Sequence, residues 1–300
     1  MKDFVILTDS ACALPRDLRE EFGISEYLPM HYVLGDKEYL ADIDWEVISA
    51  PDFYNAMREG ASLKTSQVNA VDYRETFTKY LEQDKDILYL ACSGALSASI
   101  KSSLLIRDEL LEKYPDAKII CIDAKISGWG LGLLCIRAGE LKKEGKNIDE
   151  IAEEIDKIKL TALQEGTAEK LTYLKRAGRV SGPAAFFGGL LSVKPIIVSD
   201  ANGMNIAVEK VKGRKNSLDR LVERFKEQYV SVPYQRVFVL HGDSLEEGMK
   251  LKEDIINVLP ESDKNVPVRL DFVDPIVGGS TGPGTMAIYF YGKEMTLNKE

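Results

Sequence analysis

Two spacings of apolar residues alternate along the first half of the chain. Short unbroken apolar runs, FVILTD (4–9), DILYLAC (86–92) and AKIICID (117–123), have the length and composition of buried strands. Between and after them, apolar residues recur every three or four positions. This predicts helices over PRDLREEF (15–22), PDFYNAMREG (51–60), AVDYRETFTKYLEQ (70–83), SIKSSLLIRDELLEKY (99–114) and GLGLLCIRAGELKKEG (130–145). Pro15 suits a helix start and Gly23 its stop. Val71, Phe77, Tyr80 and Leu81 fall near one face of the third helix. EYLPMHYVL (26–34) reads as one strand, with Gly35-Asp36 turning into KEYL. Strands alternating with helices imply right-handed βαβ units on a parallel sheet.

Beyond the polar helix IDEIAEEIDKIK (148–159) the pattern changes. LTALQEG is a strand, and Thr167 is placed to cap a helix over AEKLTYLKRA that stops at Gly178. PAAFFGGLL (183–191) reads as a short apolar helix opened by Pro183. VKPIIVSD and MNIAVEKVK are joined by Ala201-Asn202-Gly203, which is hairpin chemistry and therefore antiparallel. Two helix–strand pairs follow, NSLDRLVERFKEQY with RVFVLHG and LEEGMKLKEDIINVL with PVRLDFVD, and TMAIYFYG is the last strand. Six strands including a hairpin predict a mixed sheet. The expected fold is α/β in two domains, a parallel-sheet α/β/α domain over 1–158 and a mixed-sheet α+β domain over 159–300.

Composition narrows the function. Apolar residues make up 45% and charged residues 29%, with a net charge of −9. That field repels nucleic acid and anionic membrane surfaces. No run of about 18 apolar residues predicts a membrane span, and the N-terminus lacks a signal-peptide pattern, so the expected location is the cytoplasm. Cys12, Cys92, Cys121 and Cys135 are widely spaced and read as small buried hydrophobes, with no metal site among them. His31 and His241 are the only histidines, both in strand-like runs. GWGLG (128–132) echoes a dinucleotide loop, but Leu133 occupies the third glycine's place; close helix packing explains it better.

Candidate chemistry is left to uncharged polar turns at strand ends. These are Thr8-Asp9-Ser10, Lys64-Thr65-Ser66-Gln67 and Ser93-Gly94-Ala95-Leu96-Ser97. In an open α/β sheet, ligands sit at the carboxyl ends of strands. A hydroxyl-rich turn leading into a helix offers donors and the positive end of the dipole to an anion.

These turns, with Leu14-Pro15, Asp123, Ser127-Gly128, Tyr173 to Ser181, Leu190-Leu191, Lys194-Pro195, Gly203 and Thr281-Gly282-Pro283-Gly284, resemble the DegV family of fatty-acid-binding proteins almost end to end. The resemblance implies one long-chain fatty acid buried between two α/β domains. Its carboxylate would be held by Thr65 and Ser97 with Ser93 and backbone N–H groups near Gly94. Ser280 stands where some relatives have a histidine, Ser93-Gly94 replaces a paired serine, and Ala98-Ser99 replaces Gly-Thr. Ala177 likewise replaces a glycine, and Lys212 stands where an arginine is common. Phe186, Phe187, Leu190 and Leu191 are the candidates for the acyl-chain wall. Arg179 and Lys212 would lie at the mouth, facing a partner.

About fifteen methylenes at about 0.8 kcal/mol each give on the order of 12 kcal/mol of gross burial, much of it offset by association costs. The tail therefore dominates affinity and the hydroxyls fix direction. The expected function is a carrier without catalysis or cofactor of its own, presenting the carboxylate to a separate fatty acid kinase subunit that forms an acyl phosphate for phospholipid synthesis. The rival readings are an acyl hydrolase with Ser97 or Ser10 as nucleophile and a nucleotide-binding enzyme using GWGLG. A hydrolase lacks an evident base, since Asp9 is expected to be exposed and ordinary in pKa. A bare protein-interaction module leaves the gathered hydroxyls unexplained.

Overall fold

The structure, a computed structural model, describes residues 2–182 and 192–298. In chain order the first half comprises β1 (Phe4–Asp9), α1 (Arg16–Phe22), β2 (Ile24–Leu28), β3 (His31–Leu34), β4 (Lys37–Leu40), α2 (Ala50–Arg58), β5 (Leu63–Ser66), α3 (Ala70–Leu81), β6 (Asp86–Ala91), α4 (Ser99–Lys113), β7 (Ile119–Asp123), α5 (Trp129–Lys143) and α6 (Ile148–Ile158). The second half comprises β8 (Ala162–Thr167), α7 (Leu171–Ala177), β9 (Val180–Ser181), β10 (Val193–Ser199), β11 (Asn205–Lys212), α8 (Arg214–Gln228), β12 (Val237–His241), α9 (Leu245–Val258), β13 (Val268–Phe272), α10 (Pro275–Thr281) and β14 (Met286–Tyr291).

Three sheets form. The first, ordered β2-β1-β6-β7, is wholly parallel, as the buried runs predicted. β1 and β6 are buried at every position, which is why their sequences show no alternation. The second half builds a mixed sheet, β13-β12-β14-β8-β10-β11-β9, with the expected β10–β11 hairpin. Among the described residues it has seven strands rather than six; the extra one, β9, is only two residues long and pairs with Asn205 and Ile206. A small antiparallel sheet, β4-β3-β5, was not foreseen. It arises because Pro29 cannot continue a ladder. EYLPMHYVL is therefore two strands in two sheets, and Lys64-Thr65-Ser66 is strand, paired with β3.

Two details of the helices differ from the pattern. Val71 is 55% exposed, and Tyr73 takes the buried place beside Phe77, Tyr80 and Leu81. Thr167 ends β8 rather than capping α7, which begins at Leu171 and stops at Gly178 in the left-handed region. PAAFFGGLL lies outside the described residues.

α5 sits between the two large sheets, packing on β1 and β6 on one side and on β8 and β14 on the other. A helix with sheet on both sides must be apolar all round, and eleven of its fifteen residues are buried. This accounts for GWGLG. A Cβ on Gly132 would lie 2.8 Å from Cys12 O, and one on Gly139 would lie 2.1 Å from Phe22 O. The glycines serve close packing, not a phosphate. One continuous core joins Leu7, Leu88 and Leu134 to Phe238, Ala287 and Tyr289 of the second sheet.

Candidate functional site

The parallel strands deliver their turns to one end of the sheet, where α10 and β9 from the second half close over them. The resulting cavity has a volume of about 250 Å³. Thr65, Ser66 and Gln67 enter from β5, Leu96, Ser97 and Ala98 from the β6–α4 turn, and Ser127 from the β7–α5 turn. Ala11, Met30 and Cys92 also line it, while Arg179, Val180, Asn205, Ile276, Val277, Ser280 and Thr281 complete the other wall. Six hydroxyl-bearing residues face a chamber whose one charged lining residue, among the described residues, is Arg179. That donor set suits an anionic head.

The cavity continues in both directions. Outward, Thr65, Arg179 and Ser280 also border a cleft of about 330 Å³ edged by Lys64 and Arg176. Inward, Val180, Asn205, Val277 and Thr281 border a chamber of about 30 Å³ walled by Ile197, Met286 and Ala287. The lining thus runs from cations at the mouth through hydroxyls to an inner chamber where Ile197, Met286 and Ala287 stand beside three threonines and Asn205.

The Ser93–Ser97 turn is held rigidly from within. Gly94 N–H donates to Asp123 Oδ1 at 3.1 Å, as does Lys125 N–H at 3.0 Å. Ser93 is fully buried; its Oγ accepts the Ala95 N–H, and its carbonyl accepts the Leu96 and Ser97 N–H groups. Ser93 and Gly94 therefore shape the turn and do not line the cavity. The hairpin turn of the second sheet closes against it, where a Cβ on Gly203 would lie 2.1 Å from Ser93 Oγ. Ser97 does line the cavity, its Oγ sharing a 2.9 Å bond with Ser99 Oγ and accepting the Ser99 N–H. α4 begins at Ser99, and Ala98 at its cap position contributes no side-chain bond, so the positive end of the helix lies beside Ser97, whose Oγ takes its first N–H. Thr65 Oγ1 has no hydrogen-bond partner among the described residues, whereas Ser280 Oγ donates back to Ile276 O at 3.3 Å.

Asp9 differs from expectation. It is fully buried, and burial pushes its carboxyl up to about 6. The strand-end turn folds over it, so it accepts Ala11 N–H, Cys92 N–H and the Tyr89 hydroxyl at 3.0, 2.8 and 3.2 Å. It braces the site without lining it. Ser10 is likewise buried, its Oγ accepting Met30 N–H. His31 contacts Glu38 and Asn69, and His241 Nδ1 accepts Ser244 N–H; neither lines the cavity. Burial raises the Cys92 thiol well above its ordinary range, as a packed cysteine should behave. Among the described residues no His/Cys/Asp/Glu cluster could hold a metal.

Lys212 ends β11 away from the cavity, while Arg179 is on its rim. Phe186, Phe187, Leu190 and Leu191 lie outside the described residues. Sequence reasoning missed α10, although Asp274 followed by Pro275 is a helix-start signal. It named Gln67 and Ser127 in their tracts without giving them a role in the wall, and it missed Asn205.

A family model described as "Uncharacterised protein, DegV family" matches residues 3–293. The chain belongs to the DegV family. A DegV domain-containing protein of Clostridium perfringens is 41% identical over 294 residues, spanning 97% of this chain and 98% of that protein. A solved DegV family protein from Thermus thermophilus, described for its fatty acid binding, superposes with a TM-score of 0.83 at 25% identity, over 97% of this chain and 100% of that one. A DegV lipid binding protein from Thermotoga maritima shares the fold, with a TM-score of 0.83 at 24% identity over 98% and 100%. The tracts that carry the DegV resemblance, Thr65 to Gln67, Ser97, Ser127, Arg179-Val180 and Thr281, meet at this one cavity. Among the described residues, no helix is long and apolar enough to cross a membrane.

Proposed function

We propose that this protein binds one long-chain fatty acid, with residues 1–158 supplying the carboxylate site and residues 159–300 covering the chain. The observation that carries the reading is the chamber of hydroxyls, Thr65, Ser97 and Ser280 among them, set behind a rim of Lys64, Arg176 and Arg179 and leading inward to Ile197, Met286 and Ala287 beside the inner threonines. The fatty acid binding described for the Thermus thermophilus relative supports it. Thr65 Oγ1 and Ser97 Oγ are the donors to the carboxylate, with Ser99 returning a proton donor to Ser97. Ser93 and Gly94 act through the turn they hold.

The protein acts as a carrier. Ser97 bonds to another serine and not to a base, which favours the carrier over a hydrolase. The carboxylate is presented to a separate kinase subunit for acyl-phosphate formation, with Arg179 at the meeting face and Lys212 further out. Native mass spectrometry of the purified protein tests the ligand class: a co-purified long-chain fatty acid is expected, and a nucleotide would overturn the reading. Thr65→Val with Ser97→Ala tests the site. Each removes a donor to a charged acceptor, about 1.5–3 kcal/mol. The pair should therefore lower fatty-acid affinity by well over tenfold in titration calorimetry, and unchanged affinity would remove these residues from the site.

A further inference from the structure

We propose that the inner end of the cavity recognises an oxygen-bearing group on the acyl chain, a hydroxyl or keto oxygen, through Thr167. The proposal rests on the fatty-acid reading and deepens it. Three threonines border the inner chamber of about 30 Å³. Thr281 Oγ1 donates to Val277 O at 2.9 Å, and Thr285 Oγ1 donates to Gly282 O at 2.8 Å, so both are satisfied by their own backbone. Thr167 is different: it is 1% exposed, and its buried Oγ1 has no hydrogen-bond partner among the described residues.

Its position explains why. Thr167 is the last residue of β8, its neighbours Met286 and Ala287 are apolar, and Gly166 precedes it. None of the polar groups around the chamber that belong to the described residues bonds to its Oγ1. A buried hydroxyl left unmet is destabilising, so native structures rarely keep one without a partner that arrives from outside the chain. A plain hydrocarbon tail entering this chamber leaves the hydroxyl unmet in the complex as well. A chain bearing a hydroxyl or keto group meets it. The chamber borders Asn205 too, whose Oδ1 already accepts from Gln164 and Ser199 at 2.8 and 3.2 Å, so the polar side of the chamber is held in place.

Delipidated full-length protein, titrated with stearate and with a set of monohydroxystearates carrying the hydroxyl at successive positions, tests this. At least one hydroxystearate should bind about three- to tenfold tighter than stearate, the range of one net neutral hydrogen bond. Thr167→Val has the same size and no hydroxyl, and should bring that ratio to one; Thr167→Ser should keep it. A wild-type protein that binds every hydroxystearate no better than stearate overturns the proposal. That result is expected if a trapped water satisfies Thr167, for which about 10–15 Å³ suffices. A preference that persists in Thr167→Val also overturns it. Should the valine variant fail to fold, the wild-type ratio still decides. Failure of stearate and hydroxystearates alike overturns the fatty-acid reading itself, whereas stearate binding without preference removes only the role of Thr167.

Discussion

Replacing Asp274 by asparagine should stabilise the protein near neutral pH and leave it unchanged in acid. Asp274 is 2% exposed and caps α10 through one oxygen only. Its Oδ1 accepts Ile276 and Val277 N–H at 2.9 and 3.0 Å, while its buried Oδ2 has no partner among the described residues. Burial pushes the carboxyl up to about 6 from 3.8, against the pull of the backbone donors and with a small push from Asp9. A carboxyl whose folded value lies above its unfolded one keeps its proton longer in the native state. The native protein therefore binds more protons between about pH 4 and pH 6, and stability falls as pH rises through that window. Roughly two units at about 1.4 kcal/mol each cost about 3 kcal/mol by pH ~7.

Asparagine keeps the Oδ1 bonds, and its amide nitrogen takes the Oδ2 place, where it meets no acceptor among the described residues, just as the O–H of the protonated carboxyl meets none in acid. The carboxylate's attraction to the helix N-terminus is already contained in that net upward shift. The gain is therefore about 3 kcal/mol at pH ~7 and near zero at pH ~4. Urea midpoints across that range, read from the fluorescence of Trp129, which is 1% exposed, measure it directly. An Asp274→Asn variant that is less stable than wild type at neutral pH would refute the reasoning, as would a difference that does not change with pH.

Gly139→Ala should lower the thermal midpoint by the equivalent of about 1–3 kcal/mol or more, because the new Cβ meets the Phe22 carbonyl and backbone cannot step aside; an unchanged melt would contradict the packing of α5. Arg179→Ala should lower phosphorylation of bound fatty acid by a kinase subunit while leaving ligand affinity intact, and the reverse pattern would move Arg179 from docking to binding. The protein alone should not hydrolyse p-nitrophenyl esters above a heat-denatured control; turnover abolished by Ser97→Ala would favour a hydrolase.

The elements legible in the sequence were those whose environment is uniform along their length. β1, β6 and β7 are short, apolar and bounded by turns, and α8 and α9 carry one buried stripe each. The misreadings came where a neighbour remote in sequence decides. Pro29 splits one apolar run between two sheets, β9 exists only because β11 offers it a partner, and α10 is seven residues with two glycines. At the site, Thr65, Ser97, Ser280 and Arg179 were reached from motifs. Asp9 was misjudged because exposure is a property of the folded turn, which wraps the carboxylate in three donors. Asn205 lies outside every tract named from the sequence, so only the closing of two sheets over one space brings it in.

The position of α5 sets how a ligand can come and go. Because its two flanks belong to different sheets, parting them like jaws would uncover Trp129, whose ring lies tilted with its centroid 4.2 Å from that of Phe238, and would break the contact of Tyr291 with Leu133. At about 1.5–3 kcal/mol for each large apolar side chain, four such groups oppose the motion by roughly 6–12 kcal/mol. The rim is held far more lightly: β9 joins the sheet through two residues, and Arg179 beside it is exposed. If a long, slender molecule binds as proposed, its exchange is expected to need only a local loosening at the edge while the two sheets stay clamped on their common helix, at a rate set by a few hydrogen bonds at the doorway rather than by the stability of the whole.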